Sequence, residues 1–331
     1  MTADQDDVQA LKAFGYSELE ARFLRLVALH SGVFLARQFN QYAGVTKGKR
    51  VDDFLDELRR NKHCQAYKLA RNANLFHLTS KAVYRAIGQE NLRHRRSHKI
   101  DYVKTKLLSL DYVLDNPSFK YFPTEEEKIQ LFTEVLNIPM SDLPVKTYKS
   151  PNSPSETLKY FVDKYPLFLS DLSLTPPVVH FTYVDPGPYT GILDFLNYLR
   201  LYAGLFARLD EVRLLYIHHS SSKWKQAKEL FHAFVKCGYR VNIDDLDQLK
   251  YFRLRQAWEL EQYEKIGSHE LLFLNHGRKK YAGAHYEALY LRWKAEDRVP
   301  NLRLSNSKKE PAGLFEAYRI MQAYDVFGSL D

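Results

Sequence analysis

Thr46-Lys47-Gly48-Lys49-Arg50, followed by Val51, Phe54, Leu55 and Leu58, is the stretch on which the reading of this 331-residue chain turns. Apolar residues spaced three, one and three apart form one face of a helix that ends near Asn61. Upstream, Ser17 and Glu20 make a capping box that opens a helix over residues 19–30, with Phe23, Leu26, Val27 and His30 on one face. Ser31-Gly32 ends it, and a second short helix over 35–42 turns Leu35, Phe39 and Tyr42 inward before Gly44 breaks it. Downstream, residues 65–70 and 75–78 read as two strands joined by the turn-forming tetrad Arg71-Asn72-Ala73-Asn74. Thr79 or Ser80 then caps a helix over 81–88. Three helices followed by a hairpin is the order of a winged helix, with Lys68 and Arg71 at the tip of the wing.

Charge concentrates on this module. Between Lys47 and Lys106 there are sixteen Lys and Arg residues and six acids, a net of +10, while the whole chain carries only +8. Positive charge gathered on one small unit marks a polyanionic partner, and nucleic acid is the first reading. Lys47, Lys49 and Arg50 stand at the start of the third helix, where the second helix of a helix-turn-helix meets DNA and where open backbone amides also attract phosphate. Arg59 and Arg60 crowd its other end, favouring the helix dipole. These cations could read bases, or could clamp phosphates without specifying sequence. They could also simply be solvated.

Residues 90–114 read as one long helix. Its first half, Arg93-His94-Arg95-Arg96-Ser97-His98-Lys99, is basic, and its second half carries Ile100, Val103, Leu107, Leu110 and Leu114 at helical spacing. Arg93, Arg95, Arg96 and Lys99 would extend a DNA footprint along the backbone, while the apolar stripe docks on something else.

Composition is that of an ordinary globular chain, 45% hydrophobic and 27% charged, and long enough for two domains. No apolar run approaches a membrane span, and the acidic N-terminus (Asp4, Asp6, Asp7) is unlike a secretory signal. Cys64 and Cys237 lie far apart, which fits reduced, buried thiols in a cytoplasmic protein.

Beyond a turn-rich region (Asn116-Pro117, Leu143-Pro144, Ser150-Pro151-Asn152-Ser153-Pro154) strands and helices alternate. Strands are expected over 160–169, 178–184, 212–218, 239–243 and 270–274. Helices are expected over 125–136, 190–209, 222–236, 246–264 and after Ala282. That order argues for an α/β domain with a mixed sheet flanked by helices. The expected organisation is a winged-helix domain over 1–90, a basic linker helix and bridging segment over 91–155, and an α/β domain over 156–331.

Short patterns then resemble a family. Glu20-Ala21-Arg22-Phe23-Leu24, Phe76-His77-Leu78-Thr79, His180-Phe181-Thr182-Tyr183-Val184-Asp185-Pro186-Gly187 and Asn197-Tyr198-Leu199-Arg200-Leu201-Tyr202 resemble the replication-relaxation proteins of plasmids and other mobile elements. The resemblance implies double-stranded DNA binding in replication, mobilisation or transcription control. It also implies a second domain similar to the restriction-endonuclease fold, many members of which lack its chemistry.

A metal-dependent nuclease of that fold needs an acid on one strand and an acid-x-lysine on the next. Asp163 could be the first acid, with Lys164 beside it. Asp185, however, has Gly187 two residues on, not lysine. Asp185 as a helix cap and Asp163 in an ordinary salt bridge is the favoured reading. Adjacent His218 and His219 on a strand point to opposite faces and cannot share a metal. Ser222 is better placed as a helix cap than as a nucleophile. No glycine-rich phosphate loop is present, so no cofactor is indicated. The expected partners are duplex DNA and, through the α/β domain, a second copy or another protein. An adaptor whose basic face meets an acidic protein is the remaining alternative.

Overall fold

The computed structural model describes residues 3–46, 48–96, 99–149, 156–163, 165–187, 191–219, 223–239, 243–296, 312–322, 324 and 327. The chain opens with α1 (Ala3–Lys12) and α2 (Glu18–His30). The capping box forms: Glu20 N–H donates to the Ser17 hydroxyl at 3.4 Å and Ser17 N–H donates to Glu20 Oε2 at 2.8 Å. Two amides that the helix end leaves open are thereby answered.

Next come β1 (Val33–Leu35), α3 (Ala36–Ala43), α4 (Lys49–Arg60), β2 (Cys64–Lys68) and β3 (Asn74–Leu78). The three strands make an antiparallel sheet in the order β1-β3-β2. Sequence reasoning missed β1, whose last residue it gave to the second helix. Phe23, Phe34, Phe39, Phe54 and Phe76 fill the space between helices and sheet. The Phe39 and Phe54 rings lie 4.3 Å apart and Phe34 stacks on Phe76 at 5.2 Å.

α5 (Lys81–Ala86) and α6 (Ile100–Asp115) follow, and the single helix expected over 90–114 does not form. A 3₁₀ turn occupies Arg93–Arg95 instead. His94 is buried against Gly32, whose φ of +78° is one that a side chain rarely allows. A Cβ on Gly32 would sit 2.6 Å from that of His94. The His94 carbonyl also accepts from His77 Nε2 at 2.7 Å. Tertiary contacts thus hold this turn apart from α6.

The remaining elements are β4 (Lys120–Tyr121), α7 (Glu125–Gln130), β5 (Val145–Lys149), β6 (Glu156–Tyr160), β7 (Leu167–Leu169) and β8 (His180–Asp185). They continue with α8 (Ile192–Leu201), α9 (Ala203–Phe206), β9 (Glu211–His218), α10 (Trp224–Lys236) and α11 (Ile243–Glu259). The last are α12 (Ser268–Lys280), α13 (Ala284–Glu296) and β10 (Ala312–Arg319). A five-stranded sheet runs β10-β9-β8-β7-β4, with β8, β9 and β10 parallel and β7 and β4 antiparallel. The fold is therefore mixed α/β, with a mixed sheet flanked by helices.

Three expected strands differ. Residues 160–169 are not one strand: β6 ends at Tyr160, a turn follows, and β7 begins at Leu167. Residues 270–274 lie inside α12. Of 239–243, residues 240–242 fall outside the described residues and Ile243 begins α11.

Alternation along the strands divides the large sheet into two faces. Tyr183, Tyr216 and Phe315 meet α8 and α10 through Phe195, Leu230 and Phe231. Phe168, Val184, Leu215 and Ile217 meet α6 through Val103, Leu107, Leu108 and Tyr112. The same helix touches Val33, Leu35 and Leu75 of the small sheet. α6, expected in a linker, is the buried filling between two sheets. Each of its fully buried leucines contributes on the order of 1.5–3 kcal/mol. α11, α12 and α13 pack around Tyr251, Phe252, Leu274, Tyr281 and Tyr290. Cys64 and Cys237 are buried and unbridged. Among the described residues no helix is long and apolar enough to cross a membrane.

Candidate nucleic-acid interface

Burial of Val51, Phe54, Leu55 and Leu58 fixes which face of α4 turns outward. That face carries Lys49, Arg50, Asp52, Asp53, Asp56, Arg59 and Arg60, all exposed, with Glu57 half-buried. Four cations and four acids cancel along the helix. The cations stand at its two ends and the acids in the middle. Gly48 precedes the helix and offers no side-chain cap, so the leading amides stay open beside Lys49 and Arg50. Lys47 lies outside the described residues.

Arg59 is committed within the module. It donates to Asp56 at 2.9 Å and to the Leu55 carbonyl at 3.3 Å, and its guanidinium lies 5.9 Å from the centre of the Phe76 ring. Arg60 is exposed at the far end of the helix. The carboxylates of Asp52, Asp53 and Asp56 would repel a phosphate, and Asp52 stands in the first turn beside Lys49 and Arg50. Where an acid faces a base, a cytosine amino group is the partner it can accept from.

β3 is the central strand of the small sheet and β2 its edge, which explains why Leu75–Leu78 are buried while Gln65–Lys68 are exposed. Lys68 pairs with Asn74 at the turn end of the hairpin. Arg71 is exposed in the connecting turn with a φ of 57°. Lys49, Arg50, Lys68 and Arg71 are therefore solvent-facing on α4 and the hairpin. α6 packs on β1, at the opposite edge of the small sheet, and reaches Leu75 of β3.

The cations after α5 belong elsewhere. Arg93 lies over the Tyr148 ring of β5 at 5.3 Å, and Arg93 and Arg96 line a groove toward α7 and the end of β6. Arg95 is half-buried and its Nε has no hydrogen-bond partner among the described residues. Lys99 is exposed just before α6. Lys106 is fully buried with its ammonium 5.4 Å from the Tyr102 ring. The basic run is thus not one continuous helix face: Arg93 and Arg96 turn into the groove between the two halves.

The two carboxylates weighed for a nuclease sit in different settings. Asp163 is in the turn after β6, where Oδ1 accepts from the Tyr165 amide and the Tyr202 hydroxyl, both at 3.2 Å. Neither is a salt bridge, contrary to expectation. Its Oδ2 is buried and makes no hydrogen bond among the described residues. Lys164 lies outside the described residues. Asp185 ends β8 at 1% exposure, accepting from Tyr216 Oη at 2.6 Å and from the Gly187 amide at 3.0 Å. Among the described residues, the side chain seen capping the start of the next helix is another one, Asp194, which accepts from the Gly191 amide at 2.7 Å.

Register places Asp185, His218 and Arg319 side by side at the carboxyl ends of three parallel strands. Burial pushes the His218 imidazole below its ordinary pKa, against the pull of the Asp185 carboxylate. His218 and His219 do face opposite ways: His218 adjoins Tyr216, while His219 adjoins Tyr324 and the Ile320 carbonyl. Among the described residues no three His, Cys, Asp or Glu side chains gather as a metal-holding group. Ser222 lies outside the described residues.

Sequence reasoning missed Asp111. This carboxylate is fully buried on α6, bound by Arg37 at 2.7 and 2.8 Å, Gln38 at 2.7 Å and the Tyr324 hydroxyl at 2.6 Å. The available signal was an acid set within the apolar second half of the 100–115 segment. Compared with family models, curated proteins and solved structures, the chain matches none.

Proposed function

We propose that this chain binds double-stranded DNA through a winged helix made of α2, β1, α3, α4, β2 and β3. The observation that carries the reading is the exposed pair Lys49 and Arg50 at the uncapped start of α4, with Lys68 and Arg71 on the neighbouring hairpin. Element order and the β1-β3-β2 sheet support the winged-helix assignment. The first turn of α4 enters the major groove and the hairpin follows the backbone. Because α4 as a whole is charge-balanced, affinity comes from a few contacts at its start and on the wing. Replication, mobilisation or transcription control in a mobile element, in the cytoplasm, is the role suggested by the short patterns that resemble the replication-relaxation proteins. Asp163 and Asp185 are given no catalytic role.

Four phosphate contacts set a slope of about −3.6 for log affinity against log salt concentration. Fluorescence anisotropy on a short random duplex measures that slope. Lys68→Ala combined with Arg71→Ala is expected to flatten it by about 1.8. Equal affinity for duplex and single strand, or a slope unchanged by the hairpin variant, overturns the wing assignment.

The acids at the centre of α4 favour one second reading, a protein partner of mixed charge docked on that face. It predicts no salt-dependent duplex binding at all.

A further inference from the structure

We infer that the outer edge of β10 pairs antiparallel with β10 of a second copy, joining two five-stranded sheets across a two-fold axis at Ala317. Among the described residues β10 stands at one margin of the large sheet, with β9 on one side and no strand on the other. It runs eight residues, Ala312–Arg319, whereas β4 at the opposite margin has two. The inference does not depend on duplex binding by α4.

Backbone geometry decides which groups face outward. In a parallel ladder each residue turns its N–H and its carbonyl to the same side, and successive residues alternate. The Ile320 amide donates to the His218 carbonyl at 2.8 Å, so the even-numbered residues bond β9. Gly313, Phe315, Ala317 and Arg319 offer theirs to a further strand. Access follows from exposure. On one face of the sheet α10 covers the start of β10, where Phe231 packs on Gly313 and Phe315. Past that point Ala317 and Arg319 are exposed, as Leu314 and Glu316 are on the other face. With both faces open there, a strand can come alongside without meeting a helix. The strand also lacks two devices that protect a sheet margin, since residues 312–319 include neither proline nor lysine.

The occupant follows from the strand's own sequence. Opposed residues of an antiparallel pair share a face, so a two-fold axis normal to the sheet sets one residue against its own copy. Centred on Glu316 or Arg319, the axis would oppose like charges. Centred on Ala317, it sets small against small and places the Arg319 guanidinium against the Phe315 ring of the second copy. The exposed Leu314 then meets Ile320, and Glu316 meets Tyr318 rather than its own copy. Such a contact is isologous and closes at two copies, because the joined sheet ends in β4 on either side. Taken together with the duplex-binding reading, it predicts a DNA site of inverted-repeat symmetry.

Sedimentation velocity of the full chain, without DNA, at roughly 1–100 µM tests the pairing, so failure of either reading leaves the other standing. The expected mass is twice the 38.8 kDa of one chain. Ala317→Pro removes an amide that β9 does not use, and Ala317→Lys sets two ammonium groups against each other across the axis. Each should weaken the dimer at least about hundredfold, with far-ultraviolet circular dichroism unchanged. Ala317→Cys brings two thiols together on α-carbons about 5.5 Å apart, so mild oxidation should yield a covalent dimer. Cys64 and Cys237 are buried and leave the parent uncrosslinked. A parent that stays monomeric at the top of the range, a dimer that survives both the proline and the lysine substitution, or a dimeric cysteine variant that does not crosslink overturns the inference.

Discussion

Arg37→Ala is expected to destabilise the protein by about 3–5 kcal/mol, because it strands a buried carboxylate. Asp111 has no exposed side-chain surface, whereas Arg37 keeps 30% of its own. Removing the arginine therefore leaves a charge with no water to turn to. Asp111→Ala should cost less, since Arg37 can reach solvent and Gln38 retains the Leu107 carbonyl at 3.0 Å. The Tyr324 hydroxyl is then the principal orphan, at about 1–3 kcal/mol. This ordering follows because the network ties three parts of the chain together: α3 through Arg37 and Gln38, α6 through Asp111, and the segment after β10 through Tyr324. Urea denaturation of both variants checks it. Equal losses, or a larger loss for Asp111→Ala, would show that the carboxylate is not the costly group.

Stability should also fall as the pH drops from 7 to 5, before the exposed carboxylates titrate. His30 is buried on α2 beside the Tyr121 ring at 5.4 Å, with Lys128, Lys106 and Arg25 close enough to disfavour its charged form. Burial first, and then those cations, pull its pKa down to about 3. His180 is drawn to about 4 by burial and by Arg213. Burial lowers His63, His77 and His218 in the same direction. The unfolded chain takes up these protons near pH 6.5 and the native chain refuses them. Stability is therefore full above that pH and is lost progressively toward the folded pKa values. At pH 5 a histidine as sheltered as His30 costs about 2 kcal/mol, and the less buried ones cost less. Urea midpoints at pH 7 and pH 5 should differ clearly, and His30→Phe should shrink the difference by that amount. Identical midpoints would mean that His30 is protonated in the fold.

Much of the first eighty residues was legible because the signals there are local. The Ser17–Glu20 box, the stripe of Val51, Phe54, Leu55 and Leu58, and the tetrad Arg71-Asn72-Ala73-Asn74 each specify structure within a few residues. What was misread depends on distant partners. Nothing within Arg93-His94-Arg95-Arg96 breaks a helix; Gly32 and His77 break it from sixty-two and seventeen residues away. Glu270-Leu271-Leu272-Phe273-Leu274 is a short apolar run that fits either periodicity, and Gly277 set against the Tyr251 ring makes it part of a helix. β10 was not anticipated, although its Phe315 completes the core face. At the candidate site, Lys49, Arg50, Lys68 and Arg71 were named from charge and order alone. Charge cannot tell a solvated arginine from one turned into a groove, which is why Arg93 and Arg96 were grouped with them.

The reading as a DNA-binding protein rests most heavily on the first turn of α4. Duplex affinity of Lys49→Ala/Arg50→Ala, measured over a salt series beside the parent, reads that turn directly. The expected result is weaker binding at every salt and a slope shallower by about 1.8, with the melting temperature unchanged. A double variant that binds duplex DNA as tightly and as salt-dependently as the parent would contradict it.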